Sequence, residues 1–462
     1  MKNNITVLAV IAALGGFLFG YDTAIISGTI GFVKVQFDLN TVTEGWYVSS
    51  ALLGTILGVA FAGVLSDKYG RKNILIASGA FFAISAIGCA ISGTFDQLVM
   101  YRMLGGIGVG IASMLSPLYI SEIAPAKNRG ILVALYQLAI TLGILVAYFA
   151  NAYFLSVSTS VDFSQSSKMV QKIYVTELWR VMLGSEAVPA LIFLFLLFIL
   201  PRSPRWLIMK GKTKKAKTIL LRFMDDDGAN LEIHNVKQVL SEKSISIKKL
   251  FSGPFKQAVL IGVLLAVLSQ LSGINAIIYY GPKILEEGGL LIGEALGGQV
   301  IIGVINVLFT FVALWKIDNL GRRPLLKFGV LGIMISLITV GLLFYFEVGN
   351  TTVLMIFILI FIACFAFSFG PVLWVLLSEI YPLKMRGSAM SIGTMAVWIG
   401  TAFVGQMTPW FLENLKAHGT FWFFAACMVP ALYLIVYVLP ETKGKTLEEI
   451  ENYWLSKKNK VK

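Results

Sequence analysis

Long apolar stretches alternate with short polar segments along almost the whole chain. Each stretch holds roughly 20 or more mostly apolar residues, enough for an α-helix to cross the hydrocarbon core of a bilayer. The pattern therefore predicts an all-α integral membrane protein with twelve transmembrane helices. They cover residues 5–31, 45–66, 73–93, 97–123, 130–154, 180–200, 255–284, 293–316, 325–346, 352–379, 387–412 and 418–439.

A polar segment interrupts this pattern after the sixth helix. We divide the chain into a six-helix half (1–200), a cytoplasmic helical linker (201–254), a second six-helix half (255–440) and a tail (441–462). Within the linker, Lys212–Met224 can form an amphipathic helix with Ile219, Leu220 and Phe223 on one side. Such a helix is expected to lie on the membrane surface and not to span it.

Two sequence motifs occur twice, in the same order. Ser121–Gly130 recurs as Ser378–Gly387, so that Glu379 follows Glu122 by 257 residues. Asp67–Lys72 recurs as Asp318–Arg323, 251 residues later. Two motifs repeated at nearly the same distance indicate two homologous, pseudo-symmetric halves.

Charged residues are only 14% of the chain, and the net charge is +13. The basic residues concentrate in polar segments that fall on one side of the membrane if the helices alternate. That side is cytoplasmic by the positive-inside rule, which places both termini inside the cell. This distribution argues against a nucleic-acid partner.

No metal or cofactor site is predicted. The two histidines and three cysteines have no metal-ligand spacing, and the cysteines fall inside spans. Gly105–Gly110 is similar to a dinucleotide loop but lies in an apolar helix, which favours helix packing. No nucleophile–base pair marks an enzyme.

Two halves with matching Gly–Arg loops are typical of an alternating-access transporter. We expect the repeated charges to form a cytoplasmic latch of breakable, partly hydrated salt bridges. For the lysines of these loops, an effect on topology alone is the favoured alternative. The latch residues are Asp67, Arg71, Glu122, Arg129, Asp318, Arg322, Glu379 and Arg386.

Several motifs resemble a known family. Gly63–Lys72 resembles the signature loop of the major facilitator superfamily. Four further stretches resemble its sugar porter branch: Arg102 with Gly105 and Gly106, Pro201–Trp206, Gln270–Asn275 and Pro440–Gly444. The resemblance runs from about Gly15 to Glu449 and is strongest to bacterial xylose– and glucose–proton symporters. It implies the major facilitator fold, and it adds Glu441 to the latch.

Asp22 lies within the first helix, where an ionisable side chain is costly and marks a functional site. Arg102, on the fourth helix, is its expected partner. Paired with Arg102, Asp22 stays ionised; displaced from it, Asp22 can take a proton. The resemblance implies this proton-coupling role, with Glu186 as a weaker candidate. The alternative is a purely structural ion pair.

A sugar site needs amides for the hydroxyls and an aromatic ring for the C–H face. The resemblance implies that Tyr280 gates the site and that the sugar meets Phe19, Gln137, Gln270, Asn275, Tyr279, Asn306, Gly370, Trp374 and Trp398. For an isolated amide such as Asn306, an interhelical hydrogen bond is the alternative. On one straight helix Gln270 and Asn275 would point about 140° apart. We therefore expect a break at Ser272–Gly273.

Three positions depart from the family pattern. Ser269 stands where relatives have a glutamine, Val397 where they often have an amide, and Arg202 where they usually have glutamate. The first two alter the sugar preference, and the third alters the latch of the first half.

The resulting hypothesis is a monomeric proton-coupled symporter of a pentose or hexose in the cytoplasmic membrane. A uniporter of the same fold and a sugar receptor without transport are the alternatives.

Overall fold

The computed structural model describes residues 5–124, 129–241, 255–381, 386–445, 449–450 and 453–454, and its regular elements in these ranges are all helical. Within these ranges, twelve helices are long and apolar enough to cross a membrane, which confirms the predicted fold class. Numbered together with three linker helices, they are α1 Ile5–Gly28, α2 Thr41–Tyr69, α3 Arg71–Ile91, α4 Phe95–Ile123, α5 Gly130–Ser160, α6 Trp179–Leu197, α7 Pro204–Met209, α8 Thr213–Leu220, α9 Asp226–Ser241, α10 Lys256–Glu287, α11 Ile292–Ile317, α12 Arg322–Tyr345, α13 Thr351–Ile380, α14 Ala389–Asn414 and α15 Lys416–Val438.

Several helices continue beyond the hydrophobic stretches that predict them. Helix α2 begins at Thr41 and ends at Tyr69, against a predicted 45–66, and α5 continues to Ser160 instead of 154. An apolar window marks only the part of a helix in the hydrocarbon layer, whereas the backbone ladder can continue into the polar interface.

The chain forms two compact units. Unit 1 contains Met1–Asp38 and Ser50–Lys243, and unit 2 contains Leu39–Ser49 and Ser244–Lys462. Helix α2 is thus divided, because its outer turns cluster with the second half of the chain. The sequence division at the linker does not anticipate this.

In unit 1, α1 packs along α5 and α4, while α3 packs against α4 and α6. Glycines on α4 let helix backbones approach closely. A Cβ on Gly106 would lie 1.8 Å from the carbonyl oxygen of Ala51 on α2. The Gly105–Gly110 segment therefore serves helix packing, as the sequence indicates.

The linker helices α7–α9 enclose a small apolar core of their own, which includes Trp206, Leu220 and Ile233. Its attachment to the membrane helices is polar. The Trp206 Nε1 donates to the carbonyl of Asp67 at 3.1 Å, and Tyr119 Oη donates to that of Pro201 at 2.8 Å. Helix α8 ends at Leu220, so the predicted extension to Met224 is wrong. A turn follows Leu220 and brings α9 back over the core.

In unit 2, α10 packs against α14, α12 against α13 and α15, and α11 against α13. Two of these helices are broken. Helix α10 consists of Lys256–Gln270 and Ile274–Glu287, and α13 consists of Thr351–Phe367 and Phe369–Ile380. The break at Ser272–Gly273 is thereby confirmed.

Candidate functional site

A buried ion pair joins α1 to α4 in unit 1. Arg102 Nη1 donates to Asp22 Oδ1 at 2.6 Å, and the two side chains are 3% and 5% exposed. Gly105, one turn after Arg102, allows Ser85 of α3 to approach α4 closely beside this pair. A Cβ at that position would lie 2.4 Å from Ser85 Oγ and 3.9 Å from Asp22 Oδ1.

Glu186 joins this pair from α6. Glu186 lies between the helical segments Trp179–Ser185 and Ala187–Leu197, and its side chain is buried. The charges of Asp22 and Arg102 both act on its carboxyl group. We call these three residues the charged triad. It brings together all three residues that the sequence proposes for proton coupling.

Neutral polar groups that sequence reasoning missed surround the charged triad. Tyr21 Oη and Ser185 Oγ share a hydrogen bond of 2.7 Å, next to Asp22 and Glu186 in the chain. The charges of all three triad residues act on the buried Cys89 thiol, which also interacts with the Ser85 side chain. Only the folding of α3 against α4 and α6 places these groups beside the triad.

Two of the sugar-binding candidates lie in unit 1. Phe19 on α1 and Gln137 on α5 are each half-buried. They belong to helices that pack along one another. Phe19 comes one turn before Asp22, so any group that contacts its ring is close to the charged triad along α1.

The remaining sugar-binding candidates lie in unit 2, where the break in α10 has a clear cause. Gly273 has φ +85°, a conformation that favours glycine. A Cβ there would lie 2.6 Å from the ring of Phe424 on α15. The break turns Gln270 and Asn275 toward each other, and Asn275 Nδ2 donates to Gln270 Oε1 at 2.8 Å.

Two hydroxyl groups, those of Ser269 and Thr401, hydrogen-bond to Gln270. We call Ser269, Gln270, Asn275 and Thr401 the amide cluster. Gln270 Nε2 donates to Ser269 Oγ at 2.9 Å, and Thr401 Oγ1 on α14 donates to Gln270 Oε1 at 3.0 Å. All four residues are buried. Sequence reasoning missed Thr401, although it follows Val397 by one helical turn and so shares its side of α14.

The other unit 2 candidates are spread over four helices. Tyr280 on α10 is fully buried and donates to the carbonyl of Gly405 at 2.8 Å, and its neighbour Tyr279 is also buried. Gly370 follows the break in α13 at Ser368. Trp398 on α14 is buried, whereas three candidates are half-buried: Asn306 on α11, and Gly370 and Trp374 on α13.

The latch residues of unit 1 form a network around Arg71. Arg71 Nε donates to Glu122 Oε1 at 3.1 Å, and Arg71 Nη1 donates to Asp67 Oδ1 at 2.7 Å. Ser203 of the linker also donates to Glu122. The Asp67 side chain is 58% exposed, whereas that of Glu122 is 1% exposed. The bridge to Asp67 is therefore partly hydrated, as expected of the latch, and the bridge to Glu122 is shielded from water.

Unit 2 repeats this network with one addition. Arg322 donates to both carboxylate oxygens of Glu379, at 2.8 and 3.0 Å, and Thr442 donates to the same carboxylate at 2.6 Å. Glu441 accepts from the backbone N–H groups of Arg322 and Arg323 at 3.1 and 2.9 Å. These N–H groups begin α12, where a carboxylate is favoured by the helix dipole.

Arg202 departs from that arrangement in the first half. Its guanidinium lies 5.8 Å from the ring centre of Trp206, where a cation–π contact forms. The side chains of three further latch candidates, Arg129, Asp318 and Arg386, lie outside the described residues.

A half-buried ion pair in unit 2 was not predicted. Lys283 Nζ on α10 donates to Glu44 Oε1 at 2.8 Å. Glu44 belongs to the outer turns of α2 that cluster with unit 2, and its side chain is 1% exposed. Among the residues described, no group of three or more histidine, cysteine, aspartate or glutamate side chains could hold a metal ion.

Known proteins match this chain along nearly its whole length. The family model described as "Sugar (and other) transporter" matches residues 8–454. The arabinose–proton symporter of Bacillus subtilis strain 168 is 40% identical, over 96% of this chain and 94% of that protein. The D-xylose–proton symporter of Escherichia coli K12 is 37% identical, over 97% and 95%. The inward-open structure of the E. coli xylose transporter XylE superposes with a TM-score of 0.83 at 36% identity, over 97% of this chain and 100% of that one.

Proposed function

The chain belongs to the sugar transporter family, and from this premise we propose that it is a proton-coupled monosaccharide symporter. It is a multi-pass protein of the cell membrane and moves its sugar by alternating access. The sugar is a pentose or hexose similar to xylose or glucose. Relatives named for arabinose, xylose and galactose support a substrate of this size.

The charged triad is the observation that carries proton coupling. Two carboxylates lie in one buried site with a single guanidinium: Asp22 is paired with Arg102, and the charges of both act on Glu186. With both carboxylates ionised, one negative charge has no counter-charge, which is costly away from water. Binding of one proton makes the triad neutral. The site therefore has a physical reason to bind a single proton.

Protonation also gives the coupling a mechanical consequence. The ion pair of Asp22 and Arg102 fastens α1 to α4, and a proton on Asp22 weakens it. Helix α1 carries Phe19 one turn away, so a sugar contact at that ring and the proton at Asp22 act on the same helix. One proton moving down 100 mV contributes about 2.3 kcal/mol, enough for roughly fiftyfold accumulation.

We further propose that both termini and the linker are cytoplasmic, supported by the basic residues of the linker and the repeated loops. A reporter that is active only in the cytoplasm, fused after Lys462, should be active. The same reporter inserted in the loop at Asp162 should be inactive. The opposite pattern would reverse the topology.

The proposed coupling is tested by sugar-induced alkalinisation of lightly buffered, de-energised cells. Xylose, glucose, galactose, arabinose, fructose and inositol are added in turn to cells with wild type, Asp22→Asn or Asp162→Asn. Asp162 is an exposed carboxylate in a loop, so its variant is a matched control. We expect one sugar to raise the external pH in the wild type and in the control. Asp22→Asn should give no pH change but still exchange that labelled sugar.

A uniporter is the second candidate. The 2.6 Å contact of Asp22 with Arg102 is also compatible with a permanent, purely structural ion pair. If the sugar enters with no proton movement in any of the three proteins, the uniporter is correct and proton coupling is wrong. If none of the six sugars enters, the substrate class is wrong.

A further inference from the structure

The amide cluster has a defined hydrogen-bond direction. Ser269 Oγ donates its only proton to the carbonyl of Ala266 at 2.7 Å. It can therefore only accept from Gln270, which must present its nitrogen to Ser269. Rotating the Gln270 amide by half a turn would set its oxygen against the lone pairs of Ser269 Oγ. The serine thus determines the orientation of the amide.

The oxygen of Gln270 is consequently saturated. Asn275 Nδ2 and Thr401 Oγ1 donate to it at 2.8 and 3.0 Å. The single hydroxyl proton of Thr401 lies between the Gln270 oxygen and the carbonyl oxygen of Val397, which is 2.9 Å from Thr401 Oγ1. Both of these oxygens are acceptors. An amide oxygen accepts two hydrogen bonds, and its nitrogen donates two. With one N–H on Ser269, a single N–H of Gln270 remains for a ligand.

We propose that Gln270 acts toward the sugar only as a hydrogen-bond donor, and that Thr401 is the positioning residue that imposes this. The inference rests on the proposed sugar transport and identifies how one part of that site reads its substrate. It also assigns a role to Ser269, which stands where relatives have a glutamine. A glutamine at that position could donate to the amide oxygen or accept from its nitrogen, whereas this serine only accepts.

Sugar analogues distinguish a donor from an acceptor. A hydroxyl that meets Gln270 is recognised through its lone pairs. Replacing it by hydrogen removes the contact, while replacing it by fluorine leaves a weak acceptor and no donor. A neutral hydrogen bond is worth about 0.5–1.5 kcal/mol, so the deoxy sugar should bind about tenfold more weakly and the fluoro sugar within about threefold of the parent.

The experiment measures competition with labelled D-glucose and D-xylose in counterflow. The competitors are paired deoxy and deoxyfluoro derivatives of the same sugars at carbons 2, 3 and 4. In the wild type, we expect one carbon at which the deoxy sugar binds at least about threefold more weakly than its fluoro partner. Equal losses for both derivatives at all three carbons would overturn the proposal.

Substitution of Thr401 tests its positioning role. In Thr401→Val the Gln270 oxygen regains an accepting site to which the hydroxyl of the parent sugar can donate. The fluoro sugar cannot donate, so it should fall from within about threefold of the parent to about tenfold weaker binding than the parent. Thr401→Ser keeps the hydroxyl and should keep the fluoro sugar within about threefold of the parent. Thr408→Val is the matched control, because Thr408 Oγ1 on the same helix donates to the carbonyl of Val404 at 2.7 Å. It should behave as the wild type.

The outcomes separate this inference from the proposed function. If the wild type binds neither labelled sugar, the proposed monosaccharide substrate fails and the inference fails with it. If it binds a sugar but Thr401→Val leaves the fluoro sugar within about threefold of the parent, the positioning role of Thr401 is wrong and sugar transport stands. Should Thr401→Val not fold, the wild-type comparison of deoxy and fluoro sugars still decides whether Gln270 only donates.

Discussion

Removal of the guanidinium from the charged triad should destabilise the protein strongly. In Arg102→Met, Asp22 and Glu186 would keep their buried positions without a cation. Breaking a buried pair by deleting one partner costs about 3–5 kcal/mol, because a charge is left uncompensated. The 2.6 Å contact and the 3% and 5% exposure of the two side chains place this pair fully in that class.

A double variant separates charge from packing. Arg102→Met with Asp22→Asn removes both members of the pair, and such replacements are close to neutral when volume is kept. We expect the double variant to recover about 2 kcal/mol or more of the loss. Arg222→Met removes an exposed arginine of the linker and should change the free energy of unfolding by less than about 0.5 kcal/mol.

The free energy of unfolding would be measured in mild detergent micelles titrated with a denaturing detergent, at several pH values. Protonation of Asp22 and Glu186 neutralises the charges that Arg102→Met leaves behind. The deficit of this variant relative to the wild type should therefore shrink as the pH falls. A deficit below about 1 kcal/mol that does not change with pH would refute the uncompensated charge. Failure to recover in a triple variant that also carries Glu186→Gln, which removes the last carboxylate of the triad, would indicate lost packing instead.

Three further substitutions test other parts of the structure. Gly273→Ala, which adds a Cβ at φ +85° against a ring, should cost more than about 1 kcal/mol of unfolding free energy and weaken sugar binding in counterflow; unchanged affinity would contradict the role of the helix break. Glu441→Gln should lower the thermal midpoint, because the N–H groups that begin α12 lose a charged acceptor worth about 1.5–3 kcal/mol per bond; the neighbouring Lys443→Gln serves as control. Lys283→Met should expose the first turns of α2, so that a cysteine replacing the buried Val48 in this background reacts with a membrane-impermeant maleimide faster than in Val48→Cys alone; equal rates would show that the ion pair does not hold those turns.

The membrane topology follows from local properties of the chain. A helix crosses the bilayer wherever about 20 apolar residues occur in succession, whatever lies elsewhere in the sequence. The break in α10 is local too, because Gly273 adopts a conformation that favours glycine. The repeated Glu122 and Glu379 motifs likewise reveal two halves without any structure. These features were accordingly predictable, apart from helix ends that extend into the polar interface.

Pairings between distant residues depend on how the helices pack and rotate. The sequence proposes Asp22 with Arg102, since a buried charge needs a partner, and the structure adds Glu186 to them. It provides no signal that the hydroxyl of Thr401 meets Gln270, 131 residues away. The same holds for Lys283 and Glu44, because the sequence places α2 wholly in the first half.

Burial of the latch shows the same division. The sequence identifies Arg71 and Glu122 as latch residues, but it expects their salt bridges to be partly hydrated. In the structure, Ser203 of the linker donates to Glu122, whose side chain is only 1% exposed. Hydrophobicity along the chain thus determined which segments are helices and which of them cross the membrane. Only the tertiary structure decided which polar groups are shielded from water and which lie beside one another, because both depend on contacts between residues far apart in sequence.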